Sequence, residues 1–254
     1  MLADLLPTEL FAFLLVFSRL GAMVMLLPAL GETAIPQRVR LIMALSISLL
    51  IYSSVRSILP PMPASPIMLA VLIVFEVLIG VLIGSAIKLL MSALHIAGTI
   101  MAMQTGLAIA QAFDPAQGGQ SALMSTFLTL MAVVLIFITN MHHMMISAMY
   151  DSYILFPVGA ELKMNDFAEI VVDTVANSFL LGVQIASPFI VYGLIFNIGL
   201  GILARLMPQL QVFFIAMPLN IAAGFMILGI VLAAAMNWFL QYMENAMSVF
   251  LYQG

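Results

Sequence analysis

From Leu89 to Tyr150 the chain carries a single Lys, Arg, Asp or Glu residue, Asp114. Inside that apolar region lies a polar, glycine-bearing interruption, Gly106–Gln120, which reads GLAIAQAFDPAQGGQ. An Asp-Pro step and a Gly-Gly pair do not suit a lipid-facing helix. Irregular backbone at membrane depth is tolerated only where protein buries it or where it lines a water-filled path. The expectation is a loop held inside a protein-walled channel.

Composition agrees with a membrane setting. Of 254 residues, 65% are hydrophobic and 7% charged, with a mean hydropathy of +1.23. Soluble domains carry about 25% charged residues, so this chain lacks the charge to cover a water-facing surface. The net charge of −4 and only 7 Lys and Arg leave no phosphate footprint for nucleic acid. With no cysteine, disulfides, thiol catalysis and Cys-ligated metals are excluded. The first residues, MLADLLPTEL, hold Asp4 and Glu9 but no basic residue. They therefore read as part of a retained segment and not as a secretory leader.

About six hydrophobic runs follow one another: 10–30, 41–59, 67–103, 121–150, 174–206 and 219–240. By length and by the bilayer's demand for internally satisfied backbone, each is expected to be helical. LPPMPASP at Leu59–Pro66 is a stiff turn, because each Pro fixes φ and disfavours helix in the residue before it. The run from Ile67 to Met103 is too long for one upright span and must tilt, kink or leave the membrane. Asp151–Asp173 reads as a polar linker, and Met207–Pro218 as a second proline-bounded break. The positive-inside rule puts Arg38, Arg40 and Arg205 on the cytoplasmic side and the acidic linker outside.

Charges within apolar runs are functional candidates by default. Here they are Arg19, Glu76, Lys88 and Arg205, and they are expected to be buried charges. Glu76 and Lys88 point about 120° apart on one helix, so each needs a partner elsewhere. Gly80 and Gly84 form a GxxxG, a spacing that lets helix backbones approach closely. It suits packing within the chain or against a neighbouring subunit. The 22 methionines suit gap-filling or a deformable seal, since the side chain adapts to irregular surfaces. Chemistry finds little support: no HExxH, nucleophile elbow or phosphate loop is present. Adjacent His142 and His143 face different directions on a helix and suit a membrane interface. No catalytic residue, metal ligand or cofactor is expected.

Two patches, QTGLAIAQAFDPAQGGQ (Gln104–Gln120) and RLMPQLQVFFIAMPLNIAAGF (Arg205–Phe225), carry a family resemblance, together with SRLGAMVMLLPALGETAIPQRVR (Ser18–Arg40). The chain resembles the FliR family of type III secretion export-gate proteins. That resemblance implies an all-α, membrane-associated fold of long, kinked hydrophobic helices arranged as hairpins. A P-like part, residues 1–187, would be followed by a Q-like helical hairpin, residues 188–254. It implies assembly with P and Q export proteins, and with the B-type switch protein of the apparatus, in the inner membrane within the flagellar basal body. Unfolded flagellar subunits would thread the channel, and Gly106–Gln120 would match the family's pore plug. In that reading Gly106, Gly118 and Gly119 give backbone freedom. Leu107, Ile109 and Phe113 fill the closed pore, while Asp114 and Pro115 turn the chain. The rival reading is an ion-coupled secondary transporter of a small molecule. Such proteins usually show paired repeats with broken helices at matching positions. The two breaks here differ in composition.

Overall fold

The computed structural model describes residues 2–32, 35–108, 123–160, 164–207 and 212–252. The described residues are almost wholly α-helical, with no strand among them. In order they form α1 (Leu2–Leu26), α2 (Gln37–Val55), α3 (Pro66–Leu90), α4 (Ser92–Gln104), α5 (Leu123–Ile138), α6 (Met141–Leu155), α7 (Met164–Leu206) and α8 (Val212–Met247). The expected all-α membrane class is borne out. Five helical stretches are long and apolar enough to cross a membrane, or six if the broken pair α5 and α6 counts as one span.

The helix boundaries follow local chemistry. The proline-rich turn ends with Pro66 at the first position of α3, where its missing N–H and fixed φ cost nothing. The over-long third run is interrupted at Met91, between α3 and α4. Asn140 separates α5 from α6 in the left-handed conformation, φ 60°, which Asn tolerates better than most residues.

Three boundaries differ from expectation. Arg38 and Arg40 belong to α2 and not to the preceding link. The acidic Asp151–Asp173 stretch is mostly helix: α6 runs on to Leu155 and α7 begins at Met164. Exposed Glu169 and Asp173 lie in the second and third turns of α7. Pro218 lies inside α8. As the seventh residue of α8 it withholds one N–H from the backbone ladder, a loss that membrane helices accommodate through neighbouring groups.

The chain divides into two compact units. The first holds Met1–Leu90, Ile136–Thr174 and Glu244–Gly254. Its α1 packs on both α2 and α3. The buried face of α3 comprises Leu72, Glu76, Ile79, Gly80, Ile83, Gly84, Ala86, Ile87 and Leu90, the spacing of one helix side. The second unit holds Met91–Leu135 and Val175–Met243. The buried face of α4 there is built of small residues, Ala93, Ala97, Gly98 and Ala102, with Leu94 and Met101. In α5, Met124, Leu128 and Ala132 are buried at four-residue spacing. Long apolar side chains of α7 and α8 stay uncovered, among them Val191, Ile195, Phe225 and Ile230. Such surface suits lipid or further protein.

Candidate functional site

In the first unit, two of the four expected charges meet. Arg19 of α1 and Glu76 of α3 are 0% and 1% exposed. Arg19 Nε donates to Glu76 Oε2 at 2.8 Å, and Nη2 donates to Oε1 at 2.9 Å. This is the bidentate fork in which a guanidinium matches a carboxylate. The remaining donors go to α6 and its end. Nη1 donates to the Ser152 carbonyl at 2.8 Å and to Ser152 Oγ at 3.5 Å, and Nη2 to the Phe156 carbonyl at 2.9 Å. The guanidinium also stacks 4.2 Å from the centroid of the Tyr153 ring, a cation–π contact. One side chain thereby joins three helices.

Gly80 stands one turn beyond Glu76. A Cβ there would collide with the Arg19 carbonyl and come within 2.9 Å of Ala22 Cβ. At Gly84 it would lie 2.9 Å from Leu26 Cβ. The GxxxG thus seats α3 against α1 of the same chain. Lys88 and Arg205, expected among the buried charges, are exposed in this chain. Each occupies the last turn of its helix, α3 and α7, where a cation is favoured by the helix C-terminus.

The second unit holds the root of the Gly106–Gln120 stretch. Gly106 has φ +72°, the left-handed conformation that closes helices and favours glycine. Its N–H donates to the Met103 carbonyl at 3.3 Å, and the Thr105 N–H to Met101 at 3.0 Å. Asn220 of α8 reaches in from outside, its Nδ2 donating to the Gln104 carbonyl at 3.2 Å. Gly193 of α7 abuts the Gln104 side chain, and Gly224 of α8 abuts Thr105. Two further glycines bring backbones together along α4: Gly98 against the Ser125 backbone, and Gly182 against Ala93 and Ile96. Leu107 is partly buried. Ile109, Phe113, Asp114, Pro115, Gly118 and Gly119 lie outside the described residues.

Sequence reading missed several of these residues. Nothing marks Ser152, Tyr153 or Phe156 as partners of Arg19, since two of the three contribute backbone carbonyls. Asn220 and Gly224 did carry a signal. Four apart in NIAAG, they share one face of a helix. Among the described residues, no group of three or more His, Asp or Glu could hold a metal ion.

Comparison with known proteins adds what geometry alone does not. The FliR protein of Caulobacter vibrioides, a flagellar biosynthetic protein by name, is 42% identical over 231 residues, covering 91% of this chain and 92% of that protein. The namesake proteins of Aquifex aeolicus and Bacillus subtilis are 32% and 30% identical, covering 86% and 89% of this chain and 84% and 86% of theirs. Residues 10–246 match the family described as bacterial export proteins, family 1. The resemblance read in the two sequence patches is borne out, and the chain belongs to that family of bacterial export proteins.

Proposed function

We propose that this chain is a non-enzymatic core component of the flagellar type III protein export gate. It would sit in the bacterial inner membrane within the basal body. With P and Q proteins, and in contact with the B-type switch protein, it forms a channel for unfolded flagellar subunits. The observation that carries the reading is the match along nearly the whole chain to proteins named for flagellar biosynthesis. The many apolar helices with uncovered faces fit a subunit that other hydrophobic chains surround. The division into a P-like part, residues 1–187, and a Q-like hairpin, residues 188–254, belongs to the same proposal.

In this reading Gly106–Gln120 is the pore plug. Leu107, Ile109 and Phe113 supply apolar bulk to a constriction that excludes ions by dewetting. Gly106, Gly118 and Gly119 let the backbone give way when a secreted chain arrives. Asp114-Pro115 sets the turn between them. Energy for transport comes from partner components, since the chain carries no phosphate-binding loop. The test is deletion of Gly106–Gln120 in the assembled complex. Membranes bearing the deletion should leak ions; unchanged conductance removes the plug assignment.

A further inference from the structure

We propose that Asn220 is a positioning residue for the stretch that begins at Gly106, acting through the Gln104 carbonyl. The proposal rests on the plug reading above and adds to it the device that aims the stretch.

The last four carbonyls of a helix have no partner within it. At the end of α4 the carbonyl of Gln104 is one of these, and a side chain from α8 takes it. The orientation of the Asn220 amide follows from chemistry. Turned about, it would set Oδ1 against the Gln104 carbonyl, two acceptors face to face. With Nδ2 on Gln104, Oδ1 is buried and meets no donor among the described residues. A buried acceptor left unmet carries its full desolvation penalty. An apolar side chain at position 220 would avoid that cost, so general packing does not account for an amide there.

Two glycines complete the arrangement. A side chain at Gly193 would displace that of Gln104, and one at Gly224 would displace Thr105. The three residues that precede the left-handed turn, or form it, are therefore met from α7 at Gly193 and from α8 at Asn220 and Gly224. Gly106 itself lies close to the Asn220 amide: a Cβ there would stand 3.3 Å from Nδ2. Where α4 stops, and the direction in which the chain leaves it, are thus set by residues more than eighty positions downstream.

The experiment uses the intact export complex in membranes. Asn220→Asp keeps the shape and replaces the donor with an acceptor facing the Gln104 carbonyl. Its ion leak is compared with wild type and with the Gly106–Gln120 deletion, at matched assembly. A second measurement reads the clasp directly. A Cβ at Gly193 would lie 3.1 Å from Gln104 Cβ, close to the separation of about 3.5–4.5 Å spanned by a disulfide. The chain has no cysteine of its own, so the Gln104→Cys/Gly193→Cys pair reports without background.

The proposal expects Asn220→Asp to assemble normally, to leak several-fold above wild type, and to lower the cross-linking yield of the cysteine pair. Normal sealing and normal cross-linking in Asn220→Asp, beside a leaking deletion, would overturn the proposal and leave the plug reading in place. A deletion that seals as wild type does would remove both. Should Asn220→Asp fail to accumulate, Asn220→Leu removes the donor to the Gln104 carbonyl without adding charge and is read by the same two assays, with the same outcomes deciding.

Discussion

Within each of the two units the helices are held by a different emphasis. In the first, helices meet around a buried ion pair whose polar atoms are matched one by one. In the second, they meet where side chains are missing, at Gly98, Gly182, Gly193 and Gly224. Lipid tails are as apolar as leucine, so helices in a bilayer gain little from burying leucine against leucine. What remains is the avoidance of unmatched polarity or the close fit of backbones; the first unit combines its ion pair with the close fit at Gly80 and Gly84, and the second relies on the glycine seam. A matched ion pair is specific but intolerant of losing a member. A glycine seam is held by shape, and its cost for an added atom depends on how far the neighbour can move.

The comparison breaks most readily at the ion pair. Glu76→Ala leaves the Arg19 guanidinium buried without its counter-charge, which typically costs about 3–5 kcal/mol. Thermal unfolding of the purified complex should show a large loss of stability. The double substitution Arg19→Leu/Glu76→Leu should recover much of it, because a buried pair replaced by apolar residues is often neutral. If the double variant is no better than the single, matching of charges is not what holds the first unit.

A smaller effect is expected at the glycine seam. Gly98→Ala drives a Cβ into the Ser125 backbone, and overpacking of this kind costs about 1–3 kcal/mol. Gly229→Ala, with nothing within 4 Å, is the matched control in the same unit. Equal stability of the two variants would show that the seam at Gly98 yields freely.

The smallest effect belongs to the other charged cluster of the first unit. Glu9 accepts from Arg56 Nη2 at 2.5 Å, from Arg56 Nε at 2.8 Å and from the Tyr52 hydroxyl. Yet the Arg56 and Glu9 side chains are 42% and 46% exposed, and exposed pairs contribute little. Glu9→Gln should leave the unfolding temperature nearly unchanged. A loss as large as that of Glu76→Ala would mean that charge matching matters irrespective of burial.

Much of this was legible from residue types alone. Arg19 and Glu76 stood out because charge within an apolar run demands a partner, and Gly80 with Gly84 because their spacing is a packing signal. That the two charges answer one another was not legible. They are 57 residues apart, and only the seating of α3 on α1 brings them together. Lys88 and Arg205 looked the same in sequence but fall at helix ends, where a long side chain can reach outward. The acidic stretch misled because charge density was taken as a linker signal, whereas a long helix can begin with acidic residues. Of the Gly106–Gln120 stretch, the structure describes only its first three residues, and the glycine with which it opens is the one in left-handed conformation. The residues that hold that opening come from α7 and α8, and a seam between distant helices leaves little trace in either one alone.

Arg19 has one more implication. Its guanidinium nitrogens all donate to acceptors within its own chain. No vacant donor is left with which to greet a passing anion. The side chain therefore works as a rivet through α1, α3 and α6, obliging the three to travel as one body. In the proposed export channel, any widening would have to be absorbed by other helices.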